Sequence, residues 1–301
     1  MEKVQAIWAL DPHESNIRPS PTALEEARML FGGSFETVRP VYVHADTKIH
    51  DCRPLEEVQN YLREMQIGKT ANIEIVDFPE GRRKDWVQKI CEMAESQNVS
   101  VVILSSHGRS SLGGMLFGSF CYDLLQIASF PVLILAPHRT PPASRKVMFA
   151  TDLSEDSFGA FQSFLEFVSG KADEVVLFHT VTIPTLGMVS LGLPGTLPES
   201  FARDEVDSSG TNIKKWEEMA QKICPRAMIK KHVVENFLHP SEAITKLAIA
   251  QEIGTIGVAS HGGPKSNPLL GSTVRDLIFM KQFNVWSCGP QFVRSDEVGP
   301  K

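Results

Sequence analysis

Short apolar runs alternate with amphipathic stretches of helical period along the whole chain, which is the pattern of strands alternating with helices. The runs of the second half follow one another in the same order as those of the first half. The runs are 4–11, 41–44, 73–76, 101–104 and 131–135 in the first half, and 146–152, 176–179, 229–234, 256–258 and 284–286 in the second. Repetition of a whole series of elements predicts an internal tandem repeat.

Two amphipathic stretches in matching positions carry clear helix boundaries. Ser20 and Pro21 supply an N-cap and a first-turn proline, and Gly32 follows the last apolar position of that helix. Ser154 begins the counterpart in the second half, which ends before Gly170. Strands that alternate with helices predict a parallel sheet with helices on both faces. The predicted fold class is therefore α/β, as two tandem doubly wound domains with a five-stranded parallel sheet in each.

The length of the chain suits two domains. It has 301 residues, about twice the usual domain length of roughly 150, and 42% of them are hydrophobic. The segment 137–144 has the proline-rich composition of a linker and falls between the repeats. We predict domains at 1–140 and 141–301. The second contains an insertion, 183–210, whose apolar residues predict that it packs over a crevice or against a partner.

Composition and charge exclude several classes of protein. A net charge of −6 gives no electrostatic footprint for nucleic acid, and no apolar stretch approaches the roughly 20 residues that cross a bilayer. The N-terminus lacks the layout of a secretion signal. The five cysteines include no C-x-x-C pair, which argues against a disulfide framework and a structural zinc site. The predicted location is the cytoplasm, with neither nucleic acid nor membrane as a partner.

One glycine-containing motif occurs in both halves. Residues 106–108 read Ser-His-Gly and are followed by nine residues and then Gly118-Ser119. Residues 260–262 repeat Ser-His-Gly and are followed by eight residues and then Gly271-Ser272. Each copy lies between a predicted strand and a predicted helix, where free N–H groups at the helix start attract a phosphate. The pattern predicts a polyphosphate site, although a tight turn with a capped helix explains a single copy equally well.

The motif resembles that of the universal stress protein family. Family members that bind ATP carry a glycine, two residues, a glycine, nine residues and Gly-Ser or Gly-Thr after the fourth strand. Residues 105–119 match this pattern except at Ser105, which replaces the first glycine. The resemblance covers nearly the whole chain and implies sheets of strand order 3-2-1-4-5, related by a pseudo-twofold axis. It also implies that the fifth strands pair the domains as an intramolecular pseudo-dimer, with a homodimer left open.

The resemblance to the family implies roles for individual residues of this chain. In the family, the aspartate after the first strand lies beside adenine and ribose, and a residue after the second strand packs on adenine. Asp11 and Asp152 could instead cap the loop and helix that follow them. In the first half the expected nucleotide contacts are Asp11, Ala45, Ser105, His107, Gly108, Arg109, Gly118 and Ser119. In the second half they are Asp152, Thr180, Ala259, Gly262, Gly271 and Ser272.

The two copies of the loop differ, and the difference favours the first. The second loop is one residue shorter and contains Pro264 and Pro268, which remove N–H donors and fix dihedral angles. Arg109 in the first loop is a candidate phosphate contact, although a solvated arginine is an equally good interpretation. We therefore expect nucleotide in the first domain rather than the second.

The favoured function is a nucleotide-responsive, non-catalytic sensor or adaptor in stress adaptation, with ATP or AMP as ligand and Mg²⁺ as a companion of the phosphates. No metal site built from protein side chains alone and no catalytic residue is expected, because His107 and His261 are interpreted as ordering their own turns. Weak ATP hydrolysis and an interaction module that binds another small molecule, or none, are the alternatives. Related adenine-nucleotide enzymes carry Ser-Gly-Gly-x-Asp-Ser or His-x-Gly-His after the first strand, and residues 9–14 and 150–155 show neither.

Overall fold

Strands and helices alternate through both halves of the protein. The computed structural model describes residues 5–10, 19–44, 55–64, 74–77, 83–105, 119–140, 142–182, 213–236, 239–259, 270–289 and 292. The first half contains β1 (Ala6–Leu10), α1 (Pro21–Leu30), β2 (Val38–His44), α2 (Leu55–Glu64), β3 (Glu74–Asp77), α3 (Arg83–Ser96), β4 (Val101–Ser105), α4 (Ser119–Ile127) and β5 (Pro131–Leu135). The second contains β6 (Lys146–Ala150), α5 (Glu155–Val168), β7 (Glu174–Thr182), α6 (213–223), β8 (Met228–Asn236), α7 (Pro240–Ala250), β9 (Thr255–Ala259), α8 (Ser272–Met280) and β10 (Asn284–Cys288).

The strands form one ten-stranded sheet in the order β3-β2-β1-β4-β5-β10-β9-β6-β7-β8. Each half has the predicted order 3-2-1-4-5 and pairs its own strands in parallel. The halves join where β5 and β10 pair antiparallel, with Val285 opposite Ile134 and Cys288 opposite Pro131. The expected pairing of the fifth strands is thus confirmed. Although β10 contains polar residues, it forms a full strand, which ends at Cys288 just before Gly289.

Helices cover the sheet on both faces, and each face has a hydrophobic core that continues across the two halves. Helices α1, α2, α5 and α6 contribute to one core, and α3, α4, α7 and α8 contribute to the other. Aromatic side chains connect the halves on the first face. The ring of Phe31, just after α1, lies 5.6 Å from the ring of Phe167 in α5. The two repeats therefore share buried surface as well as a sheet.

The helix boundaries read from the sequence are confirmed. Ser20 Oγ accepts a hydrogen bond from Ala23 N at 3.1 Å, and Pro21 follows as the first helical residue. Ser154 Oγ accepts from Ser157 N at 3.2 Å at the start of α5. Gly32 has a φ of +76° just after α1, a value that glycine adopts without strain.

The segment between the repeats is held against both halves. His138 N donates to Lys281 O at 3.1 Å, and Arg139 Nε lies 3.0 Å from Glu26 Oε1. Composition alone predicted only a linker here.

The insertion 183–210 and Cys52 lie outside the described residues. Cys91, Cys121, Cys224 and Cys288 are buried and form no disulfide with one another.

Candidate functional site

A cleft of about 350 Å³ opens at the carboxyl edge of the sheet in the second half. Residues 150–152 at the end of β6, 178–180 in β7 and 258–259 in β9 line it, together with 271–274 at the start of α8. Ligands of open parallel sheets bind at this edge, at the point where the strand order reverses. In this half β6 is that point, because β7 lies on one side of it and β9 on the other.

The cleft brings together most of the site residues predicted in the second half. Asp152, Thr180, Ala259, Gly271 and Ser272 all line it, and Gly262 lies outside the described residues. In the first half the structure shows that Ser105 ends β4 and that Ser119 begins α4. The remaining residues predicted in that half lie outside the described ranges: Asp11, Ala45, His107, Gly108, Arg109 and Gly118.

Asp152 holds the turn that leads into α5. Its Oδ1 accepts hydrogen bonds from Ser154 N at 3.0 Å, from Ser154 Oγ at 2.7 Å and from Ser157 Oγ at 2.7 Å. Ser154, not Asp152, is the N-cap of the helix. The described residues give Asp152 Oδ2 no hydrogen bond, so this oxygen is available to a ligand or to solvent.

Two polar side chains of β7 lie at the wall of the cleft. His179 Nδ1 lies 2.8 Å from Thr151 O, and an imidazole N–H donating to that carbonyl ties β7 to the end of β6. Nε2 is then the acceptor nitrogen of the ring. Thr180 Oγ1 is buried and has no hydrogen-bond partner in the described part of the chain. A buried hydroxyl without a partner is costly, and a polar atom of a ligand would satisfy it.

The walls of the cleft suit an apolar ring better than a chain of phosphates. Phe178, Ile244, Val258 and Val274 form the apolar part of its lining. None of the described residues that line the cleft is a lysine or an arginine. The N–H groups at the start of α8 are the positive groups that it offers. The described lining therefore fits adenine, and it supplies no side-chain cation for a polyphosphate.

Within the described ranges, no group of three or more His, Cys, Asp and Glu side chains is arranged to hold a metal ion. None of the described helices is both long enough and apolar enough to span a bilayer.

Sequence reasoning missed a polar cluster beside the cleft. His239, the residue before α7, places Nε2 3.3 Å from Ser272 Oγ. Its Nδ1 lies 2.8 Å from Ser241 Oγ and 3.3 Å from Asp276 Oδ2. The available signal was a serine and an aspartate four residues apart on one helix, but nothing in the sequence brings His239 to them because 33 residues separate it from Ser272.

Comparisons with known proteins agree with this fold. The model of the universal stress protein family matches residues 19–136 and 143–278. A universal stress protein from Archaeoglobus fulgidus DSM 4304 has a TM-score of 0.62 at 18% identity, with 96% of this chain and 100% of that chain covered. A functionally unknown protein from Pseudomonas aeruginosa PAO1 has a TM-score of 0.56 at 13% identity, with 96% and 93% covered. No curated protein matched. The chain belongs to the universal stress protein family, with two copies of the family's domain in tandem.

Proposed function

We propose that this protein binds an adenine nucleotide, ATP or AMP, in its first half and that this half acts as a sensor or adaptor in the stress response without turning the nucleotide over. The observation that carries the proposal is the position of the first loop. Strand β4 ends at Ser105 and α4 begins at Ser119, so the Ser-His-Gly and Gly-Ser residues connect the carboxyl end of a central strand to a helix start. That is the arrangement in which backbone N–H groups bind phosphate.

The second half is less suited to a polyphosphate than the first, and this difference supports placing the nucleotide in the first half. Its cleft lies at the equivalent edge and has room for a nucleoside, but its described lining contains no cationic side chain. Its loop between Ala259 and Ser272 is one residue shorter than the first and contains two prolines. A triphosphate, with or without Mg²⁺, is therefore better accommodated in the first half.

Mass spectrometry of ligand retained by the full chain tests the proposal. The protein is purified without added nucleotide, denatured, and its small-molecule fraction is analysed for ATP, ADP and AMP. A nucleotide in amounts comparable to the protein is the expected result. If the fraction holds none, and added ATP and AMP leave the melting temperature of the protein unchanged, the proposal is wrong.

A further inference from the structure

A serine, a histidine and an aspartate form a chain of polar contacts at the cleft of the second half. Ser272 Oγ lies 3.3 Å from His239 Nε2, and His239 Nδ1 lies 3.3 Å from Asp276 Oδ2. This is the connectivity in which a histidine takes the proton of a serine nucleophile while an acid orients its ring. Distances of this size are common before substrate binds.

Ser241 determines which ring nitrogen of His239 carries the proton. Its buried hydroxyl lies 2.8 Å from His239 Nδ1 and donates to Asp276 Oδ2 at 3.4 Å. Because that proton points toward the aspartate, the Ser241 oxygen accepts from Nδ1–H. The imidazole then carries its proton on Nδ1, and Nε2 is the nitrogen that accepts from Ser272. A neutral imidazole in this tautomer is the form that acts as a general base.

The helix α8 supplies both the nucleophile and its orienting acid. Ser272 is its first residue and Asp276 lies four residues later, so both project from one side of the helix. Thr273 and Val274, in the same first turn, also line the cleft. Backbone N–H groups at this end of a helix have no acceptor within the helix, and such groups stabilise the oxyanion of an acyl-transfer reaction.

The cleft selects for a neutral substrate. The walls next to Ser272 are apolar, with Phe178, Ile244 and Val258 among them, and the described lining has no lysine or arginine. The exposed Asp152 carboxylate disfavours an anionic substrate at the same place. A volume of about 350 Å³ accommodates a short acyl ester.

We infer that the second half hydrolyses short neutral carboxylic esters through a Ser272–His239–Asp276 relay. Ser272 Oγ attacks the ester carbonyl while its proton passes to His239 Nε2. The bond between the carbonyl carbon and the alkoxy oxygen then breaks, and the leaving alcohol takes that proton. Water attacks the acyl-serine with His239 again accepting a proton, and the products are the free acid and the restored serine. Asp276 is a positioning residue, because it acts through His239.

The first half retains only part of this arrangement. Helix α4 also begins with a serine, Ser119, and carries Asp123 four residues later. No histidine occurs between residues 51 and 106, so neither α3 nor the segment that leads into it supplies an imidazole, whereas His239 directly precedes α7. The first half therefore lacks a histidine base from the corresponding helix start. The activity is therefore expected from the second half alone.

Hydrolysis of p-nitrophenyl acetate and labelling with a fluorophosphonate probe test the inference on the full chain. The expected result is saturable hydrolysis, and a single phosphonyl adduct that tandem mass spectrometry locates on Ser272. S272A and H239A should each lose at least about 100-fold in turnover. D276N should lower kcat and leave KM unchanged, because Asp276 acts only by orienting the ring of His239. S163A, a serine of α5 remote from the cleft, should behave as wild type.

Three outcomes would overturn the inference: hydrolysis no faster than in buffer, an adduct on another residue, or S272A as active as wild type. Circular dichroism on each variant establishes that a loss of activity is not a loss of fold. T180W, which occupies part of the cleft and leaves all three relay residues in the sequence, should lower hydrolysis as well. Nucleotide binding in the first half does not enter any of these measurements, so either idea can fail without the other.

Discussion

Single serine hydroxyls cap the first turns of α1 and α5. Ser154 caps α5, and its own oxygen also lies 2.7 Å from Asp152 Oδ1. The sequence left Asp152 open to two interpretations, a ligand contact or a cap. The structure assigns Oδ1 to the turn, because three donors from Ser154 and Ser157 converge on it. Such convergence depends on the φ and ψ angles of the turn, which the residue pattern alone does not specify.

We expect S154A to destabilise the protein by about 1 kcal/mol, the usual cost of removing an N-cap hydroxyl. Ser157 N and Asp152 Oδ1 would each lose a partner. Urea unfolding measures the difference. S163A is the matched control, since it removes a hydroxyl from the same helix and should stay within about 0.5 kcal/mol of wild type. Equal stability of the two variants would show that the cap does not contribute.

At the scale of the elements, the helix α5 packs directly on the strand β9 at a glycine. Gly257 lies in the middle of β9, and a Cβ placed there would come within 2.7 Å of the Phe164 ring and 2.8 Å of the Phe149 ring. Glycine inside a strand is costly in entropy, and this one is explained by the approach of two aromatic side chains. The element order and the approximate positions of the strands could be predicted from the sequence because apolar runs recur in two matching series. The close approach could not, because it depends on how α5 crosses the sheet.

We expect G257A to destabilise the protein by about 1–3 kcal/mol, as overpacking of a core does. Both phenylalanine rings belong to the same tight cluster, which leaves them little room to move. Chemical denaturation with M228A as control checks this, because Met228 lies in the edge strand β8 with 59% of its surface exposed. A G257A variant as stable as M228A would contradict the packing described here.

At the scale of the whole molecule, a buried carboxylate joins the two halves. Glu26 of α1 is 1% exposed and accepts hydrogen bonds from Arg139 Nε at 3.0 Å and Ser144 N at 3.2 Å. Asn284 of β10 lies 3.4 Å from its other oxygen and accepts from Ala136 N at 3.0 Å. Burial raises the pKa of Glu26 to about 7, and the Arg139 guanidinium only partly offsets that effect. These residues are far apart in sequence, so no local pattern predicts the cluster.

The free energy of unfolding should therefore fall as the pH rises from about 4.5 to about 7. In that range the unfolded chain has released the Glu26 proton while the folded chain still binds it, so each increase in pH favours the unfolded state. The contribution of this group is roughly 3 kcal/mol over the whole range, from 1.36 kcal/mol per pKa unit. Denaturation midpoints at several pH values measure it.

The variant E26Q should lose this part of the pH dependence, because an amide cannot titrate. E25Q is the control: Glu25 is the preceding residue of the same helix, is half-exposed, and pairs with Arg28. It should retain the decline in full. A decline that is the same in E26Q and in wild type would show that another group is responsible.

The candidate site could be predicted only in part. The recurring series of strands predicts the strand order, and the strand order predicts the edge at which the polar strand ends meet. Five of the second-half residues line one cleft at that edge, and their role as nucleotide contacts stays a prediction. The relay of His239 with Ser272 and Asp276 was not predicted, because it arises where two helices separated by a strand begin side by side.

Calorimetric titration of ATP and AMP into the full chain and two matched variants tests the central claim most directly. A45W places an indole after β2 in the first half, and T180W places one at the corresponding position of the second half. We predict one nucleotide per chain for wild type and T180W, and no binding for A45W. Binding that survives in A45W and disappears in T180W would contradict the assignment of the nucleotide to the first half, and no heat of binding in any of the three would contradict nucleotide binding itself.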